Sequence, residues 1–154
     1  MGRRVIRALE HADAQACDAI IAGLPDWFAN EPGIREAAVA VRTHEGLVVV
    51  EGGEVVAFVT LVQPSLATAE ISWMAVREDR RRSGLGTMLV DAAGELLRPR
   101  GVTLLLVKTL SDREEPGPEY AQTRAFYLAS GFLPVAELDI WGPENPCQLL
   151  ARSL

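Results

Sequence analysis

Hydrophobic and polar positions along this chain alternate in two different rhythms. Short runs rich in β-branched residues predict strands at Val5–Leu9, Leu47–Val50, Val55–Val62 and Thr68–Val76. The second and third of these are joined by Gly52-Gly53, a hairpin signal. In the fourth, strict alternation puts Ile71, Trp73 and Ala75 on one face and Ser72, Met74 and Val76 on the other. Val102–Val107 is a continuous apolar run, as expected of a strand buried on both faces. Leu133–Ile140 and Cys147–Leu150 supply two last strands around the loop Trp141 to Pro146.

Helical spacing appears four times. Ala16, Cys17, Ile20, Ile21 and Leu24 follow start chemistry at Glu10 to Asp13, and Gly23 with Pro25 closes that helix. A loop with Trp27 and Phe28 precedes a second helix, from near Pro32 to about Val41. A third shows Leu85, Leu89, Ala92 and Leu96 on one face and ends at Pro99 and Gly101. The fourth spans Tyr120 to Ser130, with Gly131 as a left-handed terminator and Phe132 placed to pack back on Phe126 or Tyr127. The order is β-α-α-β-β-β-α-β-α-β-β, an α+β domain with about seven strands and four helices. No repeat or second domain interrupts it, so residues 1–154 read as one domain.

Composition narrows the function. At 154 residues, 49% of them hydrophobic, the chain can bury a genuine core. A formal net charge of −6 argues against general nucleic-acid binding, which works by neutralising phosphates. Cys17 and Cys147 lie among apolar neighbours without metal-ligand spacing, and read as two buried thiols in a reducing compartment. The N-terminus lacks a signal-peptide run and no stretch approaches a transmembrane length, so a cytoplasmic protein without metal or membrane partner is expected.

The chemistry concentrates where the fourth strand meets the third helix. Arg80, Arg81 and Arg82 crowd a helix start that already carries partial positive charge, and no acid follows until Asp91. Gly84 and Gly86 occupy the first turn, where each weakens a helix by ~1 kcal/mol relative to alanine. The arrangement makes sense if an anion docks on the free amides near Gly84, Leu85 and Gly86. A triphosphate loop would need a lysine after Gly86, and the dinucleotide fingerprint a third glycine where Leu89 stands.

What remains is [RQ]-x-x-G-x-[GA], met by Arg81-Arg82-Ser83-Gly84-Leu85-Gly86 five residues after Val76. This resembles the acetyl-coenzyme A loop of the GCN5-related N-acetyltransferase (GNAT) superfamily, and the element order matches that fold over the full length. The resemblance implies that Arg81, Arg82, Ser83, Gly84, Leu85, Gly86 and Thr87 hold the pyrophosphate. It also implies that the backbone of Met74, Ala75 and Val76 lines the pantetheine and thioester. The segment Thr123 to Phe132 resembles the family's second block, which places Tyr127 beside the coenzyme A sulfur as the acid that protonates the leaving thiolate. The asparagine many relatives carry upstream in this helix is missing, with Thr123 or Arg124 as replacements.

Amine acetylation also needs a base, because an ammonium has no lone pair. Glu70-Ile71-Ser72-Trp73-Met74-Ala75-Val76 resembles the histone-acetyltransferase branch, where a glutamate at this position takes that role. A water chain is the other option. The acceptor pocket falls by resemblance to Trp27-Phe28, the loop Asp112 to Glu119 and the loop Trp141 to Asn145. Asp112, Glu114 and Glu115 would attract a cationic amine. His11 and His44 receive no role. The expectation is direct acetyl transfer from acetyl-coenzyme A to a primary amine of a small molecule or peptide; the alternative is a non-catalytic acyl-coenzyme A sensing domain. The resemblance leaves a homodimer open.

Overall fold

The computed structural model describes residues 2–28, 31–111 and 118–154. Seven strands form one sheet: β1 Arg4–Ala8, β2 Glu45–Glu51, β3 Glu54–Val62, β4 Thr68–Val76, β5 Leu104–Leu110, β6 Leu133–Leu138 and β7 Cys147–Ser153. Their order across the sheet is β1-β2-β3-β4-β5-β7-β6. Every pairing is antiparallel except β4 with β5. Four helices flank it: α1 Ala14–Ala22, α2 Glu31–Thr43, α3 Leu85–Leu97 and α4 Pro118–Ala129. The expected α+β order is the observed one.

Two apolar clusters divide the faces. Val49, Val59, Ile71, Leu105, Val107 and Leu150 of the sheet pack with Leu85, Leu89, Val90, Ala93 and Leu97 of α3 and with Tyr127 and Phe132. On the other face Val48, Phe58 and Ala75 meet Cys17, Ile20 and Ile21 of α1 and Ala37 and Val41 of α2. Leu85 and Leu89 of α3 are buried as expected, but in the later turns the stripe is centred on Ala93 and Leu97, with Ala92 and Leu96 half-buried at its edge. The α3 end is as expected: a one-turn 3-10 helix over Arg98–Arg100 and a left-handed Gly101.

Two strand expectations are corrected. In β5, Leu105, Val107 and Thr109 are buried while Leu104, Leu106, Lys108 and Leu110 are half-buried, so it is covered fully on one face only. The helices α1 and α2 lie over the β2–β4 side, which leaves the second face of β5 with partial cover. In β4, the register with β3 slips between Thr60, opposite Trp73, and Leu61, opposite Ile71, which makes Ser72 an extra residue. A bulge of this kind reverses the alternation beyond it. Ile71 thus shares a face with Met74 and Val76, and Trp73 and Ala75 turn toward α1 and α2.

Gly131 at φ +90° ends α4 as expected. Phe132 N–H donates to the Tyr127 carbonyl (3.0 Å) and Gly131 N–H to that of Leu128 (3.2 Å), a Schellman closure. Phe132 then packs edge-on against Tyr127, their rings 5.3 Å apart.

Candidate active site

The parallel pair β4–β5 is joined only from Thr68–Leu104 to Ile71–Val107, although both strands continue. Beyond that point the strands part and leave the β5-facing edge of Met74, Ala75 and Val76 without a sheet partner. A cavity of about 670 Å³ opens there. Its walls are this edge, Thr109 of β5, the start of α3 from Gly84 to Thr87, one face of α4 with Thr123 and Tyr127, and Trp27 and Phe28 from the α1–α2 connection.

The start of α3 is built for an approach from this side. Gly84 precedes the helix at φ +83°, a conformation that L side chains adopt at a cost of about 1–2 kcal/mol. Met88 N–H is the first to reach back to the Gly84 carbonyl (3.1 Å), so the amides of Leu85, Gly86 and Thr87 precede the helical ladder. Gly86 has a second role. A Cβ there would stand 3.0 Å from Cζ of Phe126, so its absence lets α3 approach α4 closely.

The arginines, grouped together by sequence, separate by function. Arg80 is structural: its Nε donates to Glu51 (2.7 Å), whose other oxygen takes Arg4 (3.0 Å), and Arg4 also donates to the Ser83 carbonyl (3.0 Å). These two guanidinium groups, Arg80 foremost, hold the Glu51 carboxyl below its ordinary range. Arg77 is occupied by Asp79 (2.7 Å) and Glu54 (3.1 Å). Ser83 Oγ donates to the Arg80 carbonyl and tightens the same turn. Arg81 instead lies on the Trp27 ring, 3.9 Å from its centroid, and Arg82 adopts a left-handed φ of +62°. Arg80, Arg81 and Arg82 all line the cavity, Arg80 with its charge already engaged by Glu51 and Asp79. Thus the positive charge facing the cleft comes chiefly from Arg81 and Arg82, while Arg80 spends its charge on Glu51.

Tyr127 sits in the cavity wall, 6% exposed, between the edges of Phe126 (5.2 Å) and Phe132. Burial pushes its phenol well above the ordinary value, so it is a proton donor rather than a phenolate. Thr123 also lines the cavity; its hydroxyl meets Trp27 Nε1 at 3.3 Å. Arg124 ties α4 to the Leu110 carbonyl (2.9 Å). Glu70 lies elsewhere. It sits before the strands part, outside the described cavity walls, with its carboxylate on Lys108 at 3.2 Å.

The acceptor side differs from expectation. Trp27 and Phe28 line the cavity as expected, joined by Trp73 and Tyr120, which sequence reasoning missed. The rings of Phe28 and Trp73 lie 5.7 Å apart, tilted by 33°. The segment 112–117, with Asp112, Glu114 and Glu115, lies outside the described residues. Trp141 to Asn145 forms an exposed loop that contributes nothing to the described walls, a correction. Both cysteines are free and buried; burial drives the Cys17 thiol up to about 12 and raises that of Cys147.

An open mixed sheet whose single parallel pair parts beside a helix N-terminus is the α+β architecture that the resemblance to acetyltransferases leads one to expect. The sequence model of the acetyltransferase (GNAT) family matches residues 16–132, and the chain belongs to that family. A mycothiol acetyltransferase from Beutenbergia cavernae is 40% identical over 86 residues, covering 54% of this chain and 26% of that protein. The chain thus spans about a quarter of the length of the curated relative it matches.

Solved structures extend the likeness to the whole chain. A GNAT-family protein from Desulfovibrio desulfuricans superposes with a TM-score of 0.84 at 20% identity, over 98% of this chain and 99% of that one. The ribosomal-protein-S18-alanine N-acetyltransferase from Escherichia coli gives 0.77 at 22%, over 98% and 94%. An aminoglycoside 6'-N-acetyltransferase complexed with coenzyme A gives 0.73 at 17%, over 97% and 96%. At these identities the likeness establishes the fold.

Proposed function

We propose that this protein transfers an acetyl group directly from acetyl-coenzyme A to a primary amine of a small molecule or peptide. The observation that carries the reading is the cavity itself. One continuous wall joins Arg81, Arg82 and the α3 amides to the free edge of Met74, Ala75 and Val76 and then to Tyr127.

The donor set suits a pyrophosphate followed by an amide-bearing arm. The amides from Gly84 to Thr87 and two guanidinium groups match the charge, and an unpaired strand edge offers backbone donors and acceptors to the pantetheine. Acetyl-coenzyme A supplies the activated thioester. The amine's lone pair attacks the thioester carbon, the carbon–sulfur bond breaks, and the Tyr127 hydroxyl gives its proton to the departing sulfur. Its raised pKa keeps that proton in place at neutral pH. Glu70 serves as base through water, since Lys108 holds it away from the cavity walls. Buried, protonated thiols at Cys17 and Cys147 make poor nucleophiles, which favours one-step transfer.

Free-thiol release from acetyl-coenzyme A against a panel of amines tests the reading. Turnover with at least one amine is expected, and its absence with every amine would leave the non-catalytic sensing alternative. Tyr127→Phe is expected to lower kcat by roughly 10²–10⁴-fold and Glu70→Gln by a smaller factor. If turnover is measured and neither change reduces it, this assignment of acid and base is wrong.

A further inference from the structure

The cleft has a direction. With a pyrophosphate on the turn from Gly84 to Thr87, the free edge of β4 runs from Val76, nearest that turn, to Met74, farthest from it. The thioester end of an extended carrier therefore lies toward Met74 and Trp73, and an acceptor has to meet it there. Leu24, Trp27, Phe28 and Trp73 belong to one apolar cluster on the α1–α2 face, with the three aromatic rings half-buried at its fringe, and all four line the cavity. Tyr120 of α4 lines it as well.

The polar tips of this lining are already engaged. Trp27 Nε1–H donates to the Glu119 carbonyl and to Thr123 Oγ1, each at 3.3 Å, and the Tyr120 hydroxyl donates to the Trp27 carbonyl at 3.4 Å. What Trp27, Phe28 and Tyr120 offer a ligand is mainly ring carbon. A face of the Trp27 ring, which could otherwise attract a cation, is covered by Arg81. Among the described residues that line the cavity there is no aspartate or glutamate, and the charged side chains are Arg80, Arg81 and Arg82. A second ammonium carried in with the reacting amine would lose water and meet guanidinium charge instead of a described carboxylate.

We propose that the acceptor is a monoamine on an apolar body, selected by Phe28 and Trp73, and not a polyamine or other polycation. The proposal rests on the acetyl-transfer reading and names the substrate class of that same site. The apolar body packs on the Phe28 and Trp73 rings, whose centroids are 5.7 Å apart, and its one nitrogen reaches the thioester carbon beyond Met74. Discrimination comes from both sides: the rings reward apolar surface, and the arginines penalise a second positive charge.

Two measurements decide it. The chain has three tryptophans, so ¹H–¹⁵N spectra of the labelled protein carry three indole signals, assignable with single Trp→Phe variants. With coenzyme A present, 2-phenylethylamine is expected to shift the Trp73 signal saturably and to leave that of Trp141, in its exposed loop, unmoved, while 1,4-diaminobutane shifts neither. An unmoved Trp73 signal, or equal shifts with the diamine, overturns the proposal whether or not the protein turns over. The second is kcat/KM for the two amines. An advantage of about tenfold or more for 2-phenylethylamine is expected, with its KM raised about tenfold in Trp73→Ala and coenzyme A affinity unchanged. Phe28→Ala, at the fringe of the cluster, carries the same expectation if Trp73→Ala fails to fold. Equal or better use of the diamine overturns the substrate class while leaving acetyl transfer intact. Absence of turnover with every amine would instead reject the functional reading, with the indole shifts still deciding what the aromatic lining takes.

Discussion

Tyr127 illustrates how a single residue acquires its chemistry from its neighbours. Flanked edge-on by Phe126 and Phe132, its phenol is desolvated and its pKa rises. A group that works as an acid is active below its pKa, so raising that value extends activity toward alkaline pH. The expected kcat profile has no fall attributable to a phenol up to pH 10, where an ordinary tyrosine is half ionised. A downturn near pH 9 that disappears in Tyr127→Phe would contradict this. Gly86 belongs to the same scale. A Cβ 3.0 Å from the Phe126 ring forces the ring or α3 to give, against a gain of ~1 kcal/mol from alanine in a helix, so Gly86→Ala is expected to destabilise by about 1–2 kcal/mol net in urea unfolding. A raised midpoint would mean that the ring simply turns aside.

At the scale of elements, ion pairs anchor the turns that sequence periodicity cannot resolve. Arg7 of β1 grips Asp13 ahead of α1 with two bonds, 2.7 and 2.9 Å, and Glu10 N–H adds a third at 2.8 Å. Arg7 foremost holds the Asp13 carboxyl below its usual value. A depressed carboxylate stabilises the fold above its unfolded pKa of about 4 and loses that contribution as pH falls through the folded value. Asp13→Asn is therefore expected to cost about 1 kcal/mol at pH 7, with the gap to the parent narrowing progressively as pH falls below about 4 in urea titrations. A gap independent of pH would show that the carboxylate's charge is irrelevant.

The strands and helices were legible in sequence because their apolar periods are long and regular. The faces of β4 were not. Ser72 is an ordinary small residue, and only pairing with β3 reveals that it is the extra one. The three arginines were legible as an anion signal, but their division was not, because Glu51 lies 29 residues before Arg80. The lining by Trp73 was missed because it depends on which way the bulge turns that side chain, and that by Tyr120 because α4 meets the Trp27 segment from 93 residues away in sequence.

For the whole molecule, the cleft opens where β4 and β5 part, beyond the parallel ladder that joins them from Thr68–Leu104 to Ile71–Val107. Trp27 crosses it, donating its indole N–H to Thr123 and the Glu119 carbonyl of α4 while Arg81 lies on its ring. The guanidinium that is proposed to meet a pyrophosphate is thus held over the same cavity that contains Tyr127. Binding of a diphosphate-bearing thioester carrier in this cleft is the claim on which the other roles depend. Calorimetric titration of the protein with coenzyme A, set beside the Arg81→Ala/Arg82→Ala double variant, measures it without requiring the acceptor. One site per chain is expected, with affinity lowered at least tenfold in the double variant, about 1.4 kcal/mol or more. No binding by the parent, or equal affinity in both proteins, would contradict the account.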